Sequence, residues 1–96
     1  MPRQIVTKAR FERAYHQLSA ADQERVDEAL KRFQRYLQTN EAPFGLELKH
    51  LGGRTYEFRA GLALRIVYVA EGEEVALSLL GTHDEDRRFL KCQRLR

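Results

Sequence analysis

The sequence contains one cysteine, two prolines and no tryptophan among its 96 residues. A single cysteine, Cys92, excludes an internal disulfide and any zinc site built from paired cysteines. The longest stretch without charge is far shorter than the ~20 apolar residues that a membrane span needs. No apolar segment follows the basic residues at the N-terminus, as one would in a secretory signal. We therefore expect a cytoplasmic protein in a reducing compartment, with no membrane partner.

The composition is typical of an ordinary globular domain. Hydrophobic residues make up 43% of the chain and charged residues 32%, which is too apolar for a disordered protein. A chain of this length suits one domain, so we expect residues 1–96 to fold as a single unit. Lys and Arg outnumber Asp and Glu by 17 to 14, giving a formal net charge of +3. This excess of positive charge favours an anionic partner, although only weakly.

The first half of the chain is predicted to form a short strand and two helices. Residues 3–7 are β-prone, and Thr7 is placed to cap the helix that follows. Ser19, followed three residues later by Asp22, resembles a capping box and predicts the start of a second helix of about five turns. The first helix carries apolar residues at the spacing of one helical face, namely Phe11, Ala14, Tyr15 and Leu18.

A loop and an ambiguous segment follow the helices. Residues 39–45 contain Pro43 and Gly45 and are predicted to be a loop. Leu46 and Leu48 then alternate with polar residues as far as Leu51. This pattern fits either an extended connector or a half-formed strand, and the sequence does not decide between them.

The second half is predicted to form three strands joined by tight turns. The strands cover residues 54–59, 62–69 and 75–80, and turns at Gly61 and Gly72 imply an antiparallel meander. The middle strand is apolar on both faces, which is typical of a central strand. The sequence therefore predicts an α+β fold, in which a helical hairpin packs on a small and mainly antiparallel sheet.

Polar residues interrupt the first two strands of the meander at regular positions. Side chains alternate along a strand, so Tyr56 and Phe58 are expected to face the helices. Glu57, Arg59 and Arg65 are then expected to lie together on the opposite face. After the last strand, acidic residues 84–86 precede basic residues, and this order favours a short terminal helix.

This order of elements, β-α-α-β-β-β-α, resembles the RelE/ParE toxin superfamily. The resemblance rests on the strings Y-x-F-R and R-I-V-Y around Arg65 and on L-L-G-T-H at the end of the last strand. It covers nearly the whole chain. It implies the toxin of a type II toxin-antitoxin system, with a cognate antitoxin protein as partner. Members that cleave mRNA in the ribosomal A site drive the RNA 2′-hydroxyl onto the adjacent phosphate, which requires a base, an acid and cations but no metal or other cofactor.

The resemblance implies catalytic roles for Arg65, His83 and His50. The guanidinium of Arg65 would stabilise the pentacovalent phosphorane, although an ion pair with Glu57 on the neighbouring strand explains this arginine equally well. His83 would protonate the leaving 5′-oxygen, or it is a helix-cap or surface histidine. His50 would act as the general base, or it belongs with Lys49 to a solvated turn.

Four residues are candidates for binding RNA or its phosphates. Lys49 would hold phosphate, and Arg54 and Arg59 would follow the backbone phosphates together with Arg65, although a solvated charge is the better explanation of either arginine taken alone. Phe89 stands where some cleaving relatives have a tyrosine, so it keeps the capacity for stacking without the hydroxyl, and core packing is its alternative role. Glu57 is expected to be a weak base, because neighbouring arginines stabilise its charged form.

Two other functions are compatible with the same fold. A ParE-like protein would inhibit DNA gyrase without enzymatic activity, and the presence of His83 and His50 argues against it. A degenerate member would keep antitoxin binding but lose toxicity, and Phe89 and Glu57 favour that alternative.

Overall fold

Two helices and five strands make up the described part of the chain. The computed structural model describes residues 4–41, 46–61 and 63–81, and the structural statements below concern these residues. The predicted terminal helix lies outside them. In chain order, the elements are β1 (Gln4–Thr7), α1 (Ala9–Gln17), α2 (Ala20–Thr39), β2 (Lys49–Gly52), β3 (Thr55–Ala60), β4 (Leu64–Glu71) and β5 (Glu74–Gly81).

The five strands form one mixed sheet in the order β1-β5-β4-β3-β2. Strands β2 to β5 pair antiparallel with their neighbours, whereas β1 pairs parallel with β5. The predicted meander is therefore confirmed, and the strand that is apolar on both faces, β4, is the central one. The segment that the sequence left open forms β2, because it pairs with β3 at the edge of the sheet. Its formation adds a strand to the predicted order.

The two helices begin and end close to the predicted positions. Ser19 caps α2, since its Oγ accepts a hydrogen bond of 3.2 Å from the backbone N–H of Asp22. The carboxylate of Asp22 instead accepts a hydrogen bond of 2.6 Å from Arg25 Nη1. The prediction that Thr7 caps α1 is wrong. Thr7 remains in β1, paired with β5, and the N-cap falls on Lys8, which makes no side-chain cap hydrogen bond.

Replacing Ser19 with alanine should lower the free energy of unfolding by about 1 kcal/mol, because the N–H of Asp22 loses its acceptor. Urea denaturation followed by circular dichroism measures the change. Gln34→Ala is the control, since Gln34 is an exposed residue in the same helix and should change stability by less than ~0.5 kcal/mol. Equal effects of the two substitutions would show that the cap contributes nothing.

The core lies between the helices and one face of the sheet. Helix α1 packs along β5 and helix α2 along β3. Phe33 of α2 is fully buried, and its ring centroid lies 4.4 Å from that of Phe58 and 4.7 Å from that of Tyr68. Phe58, Tyr68 and Ile66 all belong to this core. The prediction that alternate side chains of these strands face the helices is therefore confirmed.

Side-chain hydrogen bonds join the two helices to each other. The hydroxyl of Tyr15 in α1 donates a hydrogen bond of 2.8 Å to Asp27 Oδ1 in α2. This hydrogen bond raises the pKa of Tyr15 above its ordinary value, because the bond favours the neutral phenol. Gln23 Nε2 also donates to the carbonyl oxygen of Tyr15, at 2.9 Å. The hairpin is thus held by polar contacts as well as by its apolar stripes.

Among the helices of the described residues, none combines the length and the apolar character needed to cross a bilayer.

Candidate functional site

A group of charged side chains occupies the face of the sheet opposite the helices. In the antiparallel register, Arg59 of β3 lies opposite Arg65 of β4, and Lys49 of β2 lies opposite Glu57 of β3. Residues paired in this way share a face of the sheet. The prediction that Glu57, Arg59 and Arg65 lie together is therefore confirmed, and Lys49 joins them. These four residues, Lys49, Glu57, Arg59 and Arg65, are called the basic face.

The centre of the basic face is an incompletely satisfied ion pair. Arg65 Nη1 lies 3.6 Å from Glu57 Oε1, and the two side chains are 18% and 5% exposed. This separation exceeds that of a charge-assisted hydrogen bond, which is about 2.7–2.9 Å. Glu57 Oε2 and Arg65 Nε are buried and have no hydrogen-bond partner among the described residues. Since buried polar atoms are nearly always hydrogen-bonded, this pair is a candidate for interaction with a ligand.

A second ion pair lies at the end of β3. Arg59 Nε lies 3.0 Å from Glu47 Oε2, and the Glu47 side chain is 56% exposed. Glu47 has a φ of 50°, a left-handed conformation that is uncommon for a residue other than glycine. The backbone N–H of Arg59 donates to the carbonyl oxygen of Leu46 at 3.2 Å, which holds the segment beside β3. Glu47 is a residue of the site that the sequence pattern did not predict.

The two arginines face each other directly across β3 and β4. Like charges at opposed positions repel each other. The charge of each arginine is partly neutralised by one carboxylate, that of Glu57 for Arg65 and that of Glu47 for Arg59. Lys49 is the third cation of the basic face. The basic face together with Glu47 therefore has three cations and two carboxylates, a net charge of +1 (3 − 2). An anion placed between the arginines would relieve their repulsion.

The structure separates His50 from the basic face. His50 lies opposite Tyr56, and their ring centroids are 4.8 Å apart. Tyr56 in turn stacks on Tyr68 of the core at 5.2 Å. The Nε2 atom of His50 lies within hydrogen-bond distance of the carbonyl oxygen of Gly53, at 2.8 Å. His50 therefore lies on the helix side of the sheet, on the face opposite to Arg65.

The remaining predicted residues lie elsewhere. Arg54 is exposed in the turn before β3, five residues from Arg59, or about 17 Å along an extended strand. Its carbonyl oxygen accepts a hydrogen bond of 2.8 Å from the N–H of Ala70. His83 and Phe89 lie outside the described residues. Within the described ranges, no group of three or more His, Cys, Asp and Glu side chains is arranged to hold a metal ion.

Solved structures of RelE-like toxins share this fold. The toxin of the RelB-RelE complex from Methanococcus jannaschii matches with a TM-score of 0.66 and 12% identity, over 88% of this chain and 96% of that chain. YafQ in the DinJ-YafQ complex from E. coli gives a TM-score of 0.64 and 16% identity, over 88% and 97%. The YoeB/ParE toxin from Agrobacterium tumefaciens gives 0.64 and 18%, over 83% and 98%.

A scan of protein-family models and a comparison with curated protein sequences find no match. The structural match nevertheless extends over nearly the full length of each solved toxin chain. Two of the structures named are complexes of a toxin with its antitoxin, RelB or DinJ. The chain therefore has the fold of the RelE-like toxins. The α+β class and the resemblance to the RelE/ParE superfamily that the sequence indicated are confirmed at the level of the fold.

Proposed function

We propose that this chain is the toxin of a type II toxin-antitoxin system and that it cleaves mRNA in the ribosomal A site. The observation that carries the proposal is Arg65. Its side chain is largely buried, its ion pair is too long to be a hydrogen bond, and its Nε has no partner in the part of the chain that the structure describes. The fold is one that RelE, YafQ and YoeB toxins share. A cognate antitoxin would keep the protein inactive in the cytoplasm.

The reaction joins the RNA 2′-hydroxyl to the adjacent phosphate and releases the 5′-oxygen of the next nucleotide. The phosphorus passes through a pentacovalent state in which negative charge grows on its non-bridging oxygens. Arg65 would donate hydrogen bonds to these oxygens, and Arg59, directly opposite, would contact the same phosphate or its neighbour. Two arginines at opposed positions on neighbouring strands suit this task, because a phosphate bound between them would offset the repulsion of their charges.

Proton transfer requires one group to accept the proton of the 2′-hydroxyl and another to protonate the leaving oxygen. The sequence indicated His50 or Lys49 as the base or its electrostatic support. Lys49 is the member of this pair that lies on the basic face, so we assign it the electrostatic support of the attacking 2′-oxygen, whose proton passes to solvent water, and leave His50 out. His83 would protonate the 5′-oxygen. Phe89 would stack on a base, and Arg54 would contact a more distant phosphate.

Expression without the antitoxin tests this proposal. The wild-type protein should arrest growth, and primer extension on translated mRNA should show new cuts. His83→Ala should reduce the frequency of these cuts by about 10²–10⁴-fold, because loss of a general acid typically has an effect of that size. Western blotting must show equal amounts of the two proteins.

Other outcomes of the same experiment would contradict mRNA cleavage. Growth arrest with intact mRNA and altered DNA supercoiling would indicate a ParE-like inhibitor of DNA gyrase. Normal growth with intact mRNA, at an equal amount of folded protein, would indicate a member that has kept the fold and lost toxicity.

A further inference from the structure

Glu57 is the one charged residue that is buried among the described residues. Its side chain is 5% exposed and points from the middle of β3 onto the basic face. Directly opposite on β4 lies Val67, so this part of the face accepts an apolar side chain. A buried carboxylate costs free energy unless it is fully paired. Its presence beside a candidate phosphate site, where it repels an anion, therefore requires an explanation.

The contact between Glu57 and Arg65 is loose enough for a phosphate to replace it. The two residues lie diagonally across β3 and β4, and Nη1 and Oε1 are 3.6 Å apart. A phosphate group offers several oxygens that match the planar set of guanidinium donors at ~2.8 Å. Arg65 can therefore gain hydrogen bonds by exchanging Glu57 for phosphate.

Glu57 has another cation beside it when Arg65 turns to a phosphate. Lys49 on β2 lies directly opposite Glu57. Arg59, two residues further along β3 on the same face, is already paired with Glu47. Lys49 is exposed and forms no ion pair with a described residue, so its side chain is available to compensate the charge of Glu57 after the exchange, which makes displacement less costly than leaving a buried charge alone.

From these contacts we infer that Glu57 is a built-in competitor for the phosphate at Arg65. It holds the guanidinium in place while the site is empty, and it lowers the affinity of the site for any single anion. Binding then depends on the further contacts that an extended RNA makes. This inference rests on the proposed function in taking the phosphate of RNA as the anion. Glu57 is thus a positioning residue that sets affinity.

The test is a titration of the full chain with inorganic phosphate, followed by NMR at pH 7 and constant ionic strength. Glu57→Gln keeps the size of the side chain and removes its charge. It should bind phosphate about tenfold more tightly than the wild type, a change of ~1.4 kcal/mol. Glu28→Gln is the matched control, since it removes the same charge from an exposed residue of α2, on the opposite side of the sheet from Arg65. It should change the affinity by less than about twofold, because solvent screens exposed charges.

Two further variants separate competition from a structural role. Glu57→Asp keeps the charge but withdraws it by roughly one carbon–carbon bond, about 1.5 Å, and should bind phosphate with intermediate affinity. In the double variant Glu57→Gln, Arg65→Lys, the gain should disappear, since the planar donor set is lost. Thermal unfolding of each variant identifies any that does not fold. If Glu57→Gln fails to fold, the comparison of Glu57→Asp with the wild type decides the question.

Unchanged or weaker phosphate binding by Glu57→Gln would overturn the inference, as would equal gains from Glu57→Gln and Glu28→Gln. The first result would mean that Glu57 only supports Arg65, and the second that net charge alone matters. The titration needs neither mRNA nor ribosomes, so its outcome is independent of whether the chain cleaves mRNA.

Discussion

Replacing Arg65 with alanine should slow mRNA cleavage on programmed ribosomes by about 10²–10³-fold. This range is typical for the loss of one preorganised donor that stabilises charge in a transition state. Arg65 suits this role because its side chain is only 18% exposed, and charge interactions are stronger where water is largely excluded. Single-turnover kinetics with purified protein and a labelled mRNA measure the effect.

Arg65→Lys separates the geometry of the guanidinium from its charge. Lysine keeps the positive charge but lacks the planar donor set, so its cleavage rate should lie between those of alanine and arginine. Arg35→Ala removes an equal charge from an exposed position on α2 and should leave the rate nearly unchanged. A rate for Arg65→Ala within about threefold of the wild type would contradict the role of Arg65. Circular dichroism must first show that the alanine variant is folded, because Glu57 loses its partner in that variant.

Replacing Phe33 with alanine should lower the free energy of unfolding by about 3–5 kcal/mol. Phe33 is fully buried, and its ring packs against Phe58 and Tyr68, so the substitution leaves a cavity between α2 and the sheet. A loss of this size is a large part of the ~5–15 kcal/mol that stabilises a typical domain. Urea denaturation at 25 °C measures it.

The matched control for Phe33→Ala is its neighbour in α2, Gln34→Ala. Gln34 is exposed, so the change should stay within ~0.5 kcal/mol. A loss below ~1.5 kcal/mol for Phe33→Ala would show that this aromatic cluster does not hold the helices on the sheet. Because Phe33 lies on the helix side of the sheet, its loss should affect cleavage only through the fraction of protein that is folded.

The sequence predicted the meander and the placement of its side chains because these follow from local rules. Glycine turns at Gly61 and Gly72 connect neighbouring strands, and both residues have positive φ, 77° and 61°. The alternation of Tyr56 and Phe58 with Glu57 then fixes which side chains face the helices. Together these features predict the cluster of charges opposite the core without knowledge of contacts between residues distant in sequence.

Other parts of the site depend on contacts that a sequence pattern does not contain. Lys49 and His50 are neighbours in the sequence, which favours neither of them as the base or its electrostatic support. The pairing of β2 with β3 puts them on opposite faces of the sheet. Glu47 reaches Arg59 through a left-handed backbone conformation, which no feature of the sequence predicts for a glutamate. Thr7 was a good cap by residue type, but the parallel pairing of β1 with β5 kept it in the strand.

The most direct test of the central claim is an analysis of the RNA ends that purified protein produces on ribosomes programmed with a defined mRNA. Attack by the 2′-hydroxyl predicts a 2′,3′-cyclic phosphate on the upstream fragment and a 5′-hydroxyl on the downstream fragment. Mass spectrometry of the two fragments identifies both ends, and Arg65→Ala should yield them far more slowly. Intact mRNA after prolonged incubation, or fragments that carry a 5′-phosphate, would contradict the proposed reaction.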